Sequence, residues 1–368
     1  MPSRTAALQV LAGQPTSPPP VALFTWGFEY TWRVAGLQPW QLACGSSDTW
    51  HRAHLALVER HRPDLIFYDG AGSGPAEPEL LGETREHWLV RDGNTGVEYE
   101  LGKDSFTLRQ RDSGHRSCDS VGKITSQADA DRLIPITTTP GDLYLQGLSR
   151  LIADLGDRCL VLPHDSPGYV KACYAFGFEA AMMAMTFEPE LFTHVCDRCA
   201  AGEAERMAAL AAAGAEAVYI ADGWASADII SPAMFERFAL PYQHSIIAAG
   251  HAAGLKVIFW NEGDIIPILR HQVALACDAF AFEQPRKGRN VTVAAVRKAF
   301  GAGRCLFGNL DSEELLLRGS RSAIEQAVRD QLTASGLDAP FILCTGSPLP
   351  SNADPRTVDL IFQTARAL

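Results

Sequence analysis

The chain contains eight short apolar runs, and segments with helical patterns separate most of them. Each run ends in or beside a polar or aromatic residue, and the runs occupy residues 21–26, 64–69, 159–164, 217–222, 256–260, 279–283, 304–309 and 341–346. A continuous apolar run indicates a strand that is buried on both faces, as in a parallel sheet. Eight alternating strands and helices therefore predict an α/β protein with a closed (β/α)8 barrel of the TIM type.

An open, doubly wound sheet is the alternative architecture for this pattern. Such sheets often carry a G-x-G-x-x-G motif after the first strand, and the chain has none there. Eight strand–helix units are also more than such a sheet needs. Because 368 residues are enough for one large barrel, we predict a single domain over residues 1–368.

The segment between the second and third predicted strands is too long for a single crossover. It contains alternating apolar and polar residues on both sides of Asp92-Gly93-Asn94-Thr95-Gly96, which is a pattern typical of a β-hairpin. We therefore predict an antiparallel β-ribbon insertion over about residues 70–139. Its position on the catalytic rim of the barrel would allow it to act as a lid.

Charge and apolar content limit the classes of partner. The formal net charge is −11, and the clustered Lys and Arg that bind phosphate backbones are not evident, so no nucleic-acid binding is expected. No apolar run reaches the roughly 18 residues of a membrane span, and residues 1–20 lack the apolar core of a signal peptide. Nine cysteines spread along the chain fit a reducing compartment, which predicts a cytoplasmic protein.

Polar and aromatic residues end most of the predicted strands, where a barrel of this type builds its active site. They are Trp26, Asp69, His164, Asp222, Trp260, Glu262, Glu283, Asn309, Asp311 and Ser347. Any single member has a structural explanation: Asp311 can cap the next helix, and Trp26 can plug the barrel mouth. Several converging carboxylates, however, are costly unless they bind a metal, share a proton or face a cationic ligand.

Three segments resemble a known family. They are ADGWASADIISPAMFERFALPY at 221–242, LFGNLDSEELLLRGS at 306–320 and ILCTGSPLPSNADPRTV at 342–358. Together they are similar to the uroporphyrinogen decarboxylase superfamily, which includes cobalamin-dependent methyltransferases and is related to cobalamin-independent methionine synthase. The resemblance implies a TIM-like barrel with its site at the carboxyl ends of the strands. It is closer to the methyltransferase branch than to the authentic decarboxylases.

The resemblance to the decarboxylases preserves only part of their site. Asp69 matches an aspartate of those enzymes, and Tyr174 falls near a tyrosine that they use. Their Arg-rich segment after the first strand is replaced by FTWGFEYTWRVAGLQPW, in which Arg33 is the only basic residue, and the histidine of the last loop is Ser347. The resemblance therefore does not imply turnover of a substrate with eight carboxylates.

The methyltransferases bind zinc through a His-x-Cys pair and a Cys in the last loop. The matching positions here are Trp260, Glu262 and Ser347, so the resemblance does not imply their thiolate-activating zinc. Glu283 stands where methionine synthase adds a glutamate ligand. One interpretation is a divalent metal, either zinc or a harder cation, held by Glu262, Glu283 and His164. The other is a metal-free acid–base pair of Glu262 and Glu283.

The resulting hypothesis is a one-carbon transferase acting on a small cationic or aromatic substrate. Glu262, Asp222 and Asp69 would be catalytic, with Glu262 as the general acid or base and Asp222 orienting the substrate. The substrate would contact aromatic walls and polar groups, namely Trp26, Trp224, Trp260, Tyr174, His164, Asn309 and Ser347. The resemblance also implies a corrinoid-carrying partner protein and leaves a homodimer open.

Two alternative functions use the same barrel. A decarboxylase or related lyase would take a small carboxylated substrate, with protonated Asp69 or Glu262 as the proton donor. A binding protein without catalytic activity is the other alternative, because a barrel fold alone does not establish an enzyme.

Overall fold

Two sheets make up the β-structure of the computed structural model, which describes residues 3–68, 70–104, 106–111, 123–286, 289, 291–336 and 338–368. In chain order the strands are β1 (Ala22–Leu23), β2 (Leu65–Tyr68), β3 (Glu79–Glu83), β4 (His87–Arg91), β5 (Glu98–Gly102), β6 (Leu108–Gln110), β7 (Leu160–Asp165), β8 (Ala217–Asp222), β9 (Lys256–Asn261), β10 (Ala279–Phe282), β11 (Cys305–Phe307) and β12 (Phe341–Ile342).

Eight of these strands pair in parallel in the order β1-β2-β7-β8-β9-β10-β11-β12. Beside the first and last strands, Val21 pairs in parallel with Leu343, and the amide of Ala22 donates a 2.9 Å hydrogen bond to the carbonyl of Leu343. The sheet thereby closes on itself. The predicted (β/α)8 barrel is confirmed.

Side chains alternate between the barrel interior and the helix layer, as the pleat of a strand requires. On β8, Tyr219 packs with the interior cluster, whereas Val218 and Ile220 pack with the cluster under the helices. On β9, Trp260 belongs to the interior cluster and Phe259 to the outer one. This alternation decides which strand-end residues can reach the barrel mouth.

Helices surround the barrel and follow most of its strands. They are α1 (Arg4–Leu11), α2 (Thr31–Val34), α3 (Pro39–Ala43), α4 (Ser47–His61), α5 (Gln127–Leu133), α6 (Asp142–Leu155), α7 (Gly168–Phe176), α8 (Phe178–Phe187), α9 (Pro189–Ala200), α10 (Glu203–Ala212), α11 (Pro232–Met234), α12 (Leu240–Ala252), α13 (Leu269–Ala274), α14 (Val293–Phe300), α15 (Glu314–Arg318), α16 (Arg321–Ser335) and α17 (Pro355–Arg366). A π-helical turn, Phe235–Ala239, joins α11 to α12. None of the helices in the described ranges is both long and apolar enough to span a bilayer.

The structure differs from the helical pattern of the sequence at several points. The sequence pattern of residues 190–213 predicts one continuous helix, but the backbone breaks at Gly202, whose φ of +82° lies in the left-handed region. The segment 312–334 forms two helices because Ser320 caps α16 by accepting from the amide of Ala323. Helices α2, α3, α5, α7 and α8 were not predicted. The sequence of α8, FEAAMMAMTF, is apolar on nearly all sides and shows no amphipathic period.

The insertion after β2 contains the second sheet, with antiparallel order β3-β4-β5-β6. Its central hairpin turns at the predicted place, where the amide of Asp92 donates to the carbonyl of Val97 at 2.9 Å. Phe106 reaches back to Phe28, with ring centroids 6.2 Å apart. The predicted antiparallel insertion is therefore confirmed, and it contacts the loop that follows β1.

Candidate active site

A cavity of about 560 Å³ opens at the carboxyl ends of the barrel strands. Its volume lies in the usual range of small-molecule sites. We call it the mouth cavity, and its lining comprises Phe24, Trp26, Glu29, His164, Ser166, Tyr174, Ala221, Gly223, Trp260, Glu262, Arg286, Glu313, Ser347, Pro348 and Pro350. Six of the predicted site residues are among them: Trp26, His164, Tyr174, Trp260, Glu262 and Ser347.

Aromatic rings form one wall of the mouth cavity. The rings of Trp26 and His164 have centroids 4.8 Å apart at an angle of 46°. Burial lowers the pKa of His164, so its imidazole is neutral near pH 7. The Trp260 indole donates from Nε1 to the carbonyl of Gly346 at 3.2 Å, which fixes this ring between β9 and the loop after β12.

Glu262 is the carboxyl group of the mouth cavity best suited to proton transfer. It follows Ile258 and Trp260 on the interior side of β9. Its carboxyl group makes no hydrogen bond to another residue in the described part of the chain. Burial, followed by the negative charge of Glu283, raises the pKa of Glu262 to about 7, although Arg286 and Arg289 act in the opposite direction. Near neutral pH the group is therefore available both as an acid and as a base.

Glu283 is 2% exposed and lies near enough to Glu262 for its charge to raise the pKa of that residue. Its Oε2 accepts 2.9 Å and 3.4 Å hydrogen bonds from the amide of Gly263 and from Arg289, and its Oε1 pairs with Nε of Arg286. Arg289 also contacts Asp228 at 2.7 Å. Two guanidinium groups thus form ion pairs with a carboxylate that was predicted as a metal ligand.

Several predicted site residues lie elsewhere. Asp222 is fully buried on the helix side of β8, where Gln243 donates to its Oδ2 at 2.9 Å and burial raises its pKa to about 7. Asn309 donates hydrogen bonds from Nδ2 to the carbonyls of Glu283 and Val291, at 3.1 and 2.7 Å. Neither lines the mouth cavity, which differs from the expectation that both contact substrate.

Three more predicted positions have simpler outcomes. Trp224 stands behind the cavity wall, with its ring centroid 4.8 Å from that of Tyr174. Asp311 accepts from the amides of Glu313 and Glu314 at 2.8 Å each, which is the capping role considered as its alternative. Asp69 lies outside the described residues.

The structure adds cavity residues that were not predicted. Glu29 and Glu313 line the mouth cavity with Arg286, and burial raises the pKa of Glu29. Glu29 belongs to the segment that replaces the Arg-rich region of the decarboxylases. Arg286 belongs to the run PRKGR, directly after the sixth predicted strand. That run was the available sign in the sequence that a basic side chain also reaches the strand ends.

The side chains do not form the metal site that was considered on the basis of the resemblance. Trp260 and Ser347 supply no strong ligand at two of the matching positions, and Glu283 is already bound by two arginines. Within the described ranges, no group of three or more His, Cys, Asp and Glu side chains is placed to hold a metal ion. His164 is on β7, three strands from β10 in the barrel order. The predicted trio of Glu262, Glu283 and His164 is therefore not assembled.

Solved structures share this fold over nearly the whole chain. A methyltransferase from Methanosarcina mazei superposes with a TM-score of 0.73 at 18% identity, covering 99% of this chain and 98% of that one. A B12-independent methionine synthase from Shewanella sp. W3-18-1, solved in complex with selenomethionine, has a TM-score of 0.55 at 10% identity, covering 95% and 96%. At these identities the likeness concerns the fold.

Sequence comparison gives the family. A curated uroporphyrinogen decarboxylase from Dichelobacter nodosus is 30% identical over 156 residues, which are 42% of each chain. Another from Gluconobacter oxydans is 26% identical over 261 residues, covering 67% of this chain and 71% of that relative. The chain thus spans less than half of the first relative's length. The model of the family "Uroporphyrinogen decarboxylase (URO-D)" matches residues 123–368, more than half of the chain. The protein therefore belongs to the uroporphyrinogen decarboxylase family.

Proposed function

We propose that the protein is a methyl (one-carbon) transferase acting on a small substrate with a flat aromatic or cationic group. The observation that carries this proposal is Glu262, whose carboxyl group has no hydrogen-bond partner among the described residues and has a pKa of about 7, in a cavity walled by Trp26 and Trp260. The fold supports it, because the similarity to the Methanosarcina mazei methyltransferase extends over 99% of the chain.

The proposed reaction breaks the bond between a methyl carbon and an oxygen or nitrogen of the donor. The methyl group passes to a nucleophile without that bonding pair, so the heteroatom of the donor keeps both electrons. As this bond breaks, protonated Glu262 donates its proton to the heteroatom, which avoids release of a strongly basic leaving group. A carboxyl group whose pKa lies near the working pH suits this step, since it can be protonated again in each cycle.

The walls of the mouth cavity suit the proposed substrate. Indole faces attract flat rings by stacking and methylated ammonium groups by cation–π interaction. Neutral His164 against Trp26 adds a further ring without adding positive charge. The cavity, at about 560 Å³, holds a small molecule and is too small for a whole corrinoid. We therefore propose that any corrinoid acceptor is presented at the rim by a partner protein.

Decarboxylation is the second candidate, because curated relatives from Dichelobacter nodosus and Gluconobacter oxydans are uroporphyrinogen decarboxylases. Loss of CO2 leaves an electron pair on carbon, and protonated Glu262 would supply the proton that this carbon takes up. The two reactions use the same acid but give different products.

One set of assays separates these functions. The protein is incubated with methoxyarenes and N-methylated amines, with free cob(I)alamin as acceptor, and separately with their carboxylated analogues. NMR detects demethylated products, and released CO2 is measured. For the reaction found, Glu262→Gln should reduce kcat by about 100-fold or more, whereas Glu314→Gln, which alters an exposed ion pair with Arg318, should leave it unchanged.

Each outcome bears on one assignment. CO2 release without demethylation would replace the first function by the second. Full turnover by Glu262→Gln would remove the acid from either mechanism. Binding of these compounds without any turnover would favour the binding-protein alternative.

A further inference from the structure

Arg286 is a cationic side chain on the lining of the mouth cavity. It shares that lining with Trp260, Glu262 and Ser347, and its side chain is 43% exposed to solvent. Its guanidinium therefore contacts the space in which a small ligand would lie. The function proposed above assigns no role to this positive charge.

The guanidinium of Arg286 is held from behind. Its Nε pairs with Oε1 of Glu283, whose side chain is only 2% exposed. Its Nη2 is 4.0 Å from Oε1 of Glu313, at the cavity rim. Its Nη1 has no hydrogen-bond partner within the described ranges. One side of the planar guanidinium is thus anchored to a buried carboxylate. The N–H donors on the other side can form hydrogen bonds with a ligand.

We propose that Arg286 forms an anion subsite that binds the carboxylate of the substrate. A planar guanidinium matches a carboxylate with two parallel hydrogen bonds. The neighbouring acids limit the charge of the ligand, because Glu29, Glu262 and Glu313 line the same cavity and would repel a polyanion. A single carboxylate on a small molecule is the class that fits.

This subsite deepens the proposed function and rests on it for the identity of the reacting group. The substrate would be a small monocarboxylate whose flat or methylated part lies along Trp26 and Trp260, within reach of Glu262. Binding of the carboxylate itself does not depend on which bond is broken. It can therefore be tested without turnover.

The test compares two ligands of nearly equal shape, 4-methoxybenzoate and its neutral amide, 4-methoxybenzamide. Isothermal titration calorimetry at pH 7 should show the carboxylate binding at least about tenfold more tightly to the wild-type protein. Arg286→Gln should remove this preference and leave amide binding unchanged. Arg286→Lys, which keeps the charge but loses the fork, should give an intermediate preference.

Arg318→Gln is the matched control. Arg318 is 73% exposed on α15 and pairs with Glu314, so its loss should not alter either affinity. Equal affinities for the two ligands in the wild-type protein would overturn the subsite, as would a preference that survives Arg286→Gln, or no measurable binding of the carboxylate. Thermal unfolding checks that each variant is folded, and the lysine variant serves if the glutamine variant is not.

The same experiments distinguish failure of the proposed reaction from failure of the Arg286 subsite. Carboxylate binding that depends on Arg286, without demethylation or CO2 release, supports the subsite and removes the reaction. Turnover of an uncharged methoxyarene, with no preference for its carboxylate analogue, supports the reaction and removes the subsite.

Discussion

The backbone amide of Gly263 donates a 2.9 Å hydrogen bond to Oε2 of Glu283. This bond connects the residue after Glu262 to the end of β10, and Glu283 is in turn held by Arg286 and Arg289. Glu283 therefore acts on Glu262 in two ways. It fixes the loop that carries the cavity acid, and its negative charge raises the pKa of that acid.

The substitution Glu283→Gln should separate these two effects. Glutamine can still accept from the amide of Gly263, but its side chain is neutral, so the pKa of Glu262 should fall from about 7 by about one unit. The protonated fraction of Glu262 would then disappear at lower pH, and a rate that needs the proton would decline earlier as pH rises. NMR titration of 13C-labelled glutamate measures the pKa, with Glu262→Gln identifying the resonance.

Glu314→Gln serves as the control for this titration, because Glu314 is an exposed residue of α15, and its loss should leave the pKa of Glu262 unchanged. An unchanged or higher pKa in Glu283→Gln would show that Glu283 does not set the charge of the cavity acid.

Gly263→Ala tests whether the loop after β9 tolerates a side chain. Gly263 has a φ of +79°, and a Cβ there would press on Ser226 Oγ and lie 2.6 Å from Asp228 Oδ2. Gly254 has a similar φ of +82° but no heavy atom within 4 Å of such a Cβ. Urea unfolding should show a loss of about 1 kcal/mol for Gly254→Ala and about 3 kcal/mol for Gly263→Ala.

Both variants carry the backbone strain of a positive φ, so the difference between their losses of unfolding free energy measures the crowding around the added Cβ at residue 263. Equal losses would mean that the Ser226 and Asp228 side chains move aside without cost, so the loop would not hold Glu262 rigidly.

Metal content tests the assignment of Glu283 to an ion pair. Because two arginines neutralise Glu283 and two matching zinc positions carry Trp260 and Ser347, protein purified without chelator should contain substoichiometric zinc. Its melting temperature should not change with EDTA. Near-stoichiometric metal whose removal lowers the melting temperature would contradict the ion-pair assignment, and metal analysis of Glu283→Gln would show whether that residue is a ligand.

The stability of the fold should decrease in acid partly through His54 on α4. His54 is 1% exposed, its Nδ1 donates to the carbonyl of Trp50 at 2.9 Å, and burial lowers its pKa from 6.5 to about 4. The unfolded chain therefore takes up a proton at higher pH than the folded protein does. Stability from this group is present above pH 6.5 and is lost as the pH falls toward 4.

His54→Phe keeps a ring of similar size and removes this titration. Between pH 7 and pH 4, the variant should gain about 3 kcal/mol of unfolding free energy relative to wild type, from 1.36 kcal/mol per pKa unit. Urea unfolding at both pH values measures the change. His244→Phe, at an exposed position, should show no such gain, and parallel pH curves for His54→Phe and wild type would exclude His54 as the source.

The barrel was predictable because its strands are buried on both faces and leave continuous apolar runs. For the same reason, the sequence pattern does not show which side chains point into the barrel and which point toward the helices. In AVYIAD, residues 217–222, both faces are apolar, so nothing in the pattern shows that Tyr219 points inward and Asp222 outward. Trp260 and Glu262 line the mouth cavity, whereas Asp222, which was expected there, pairs instead with Gln243 in the helix layer.

Ion pairs within an irregular loop were the other feature that the pattern could not supply. The carboxylate of Glu283 was recognised, but its partners are in a loop whose path depends on the closed sheet. The PRKGR run was visible, yet only the structure brings Arg286 to the cavity. Helix α8 escaped prediction for a related reason, since a segment that is apolar on nearly all sides has no period to detect.

The pairing of Glu283 with two arginines also changes what the protein requires from its surroundings. A carboxylate balanced by guanidinium groups receives its counter-charge when the chain is synthesised, because arginine remains protonated throughout the physiological pH range. Assembly of this part of the site then needs no ion from the medium. Scarcity of transition metals, which would empty a ligand-based centre, should leave this corner of the barrel intact.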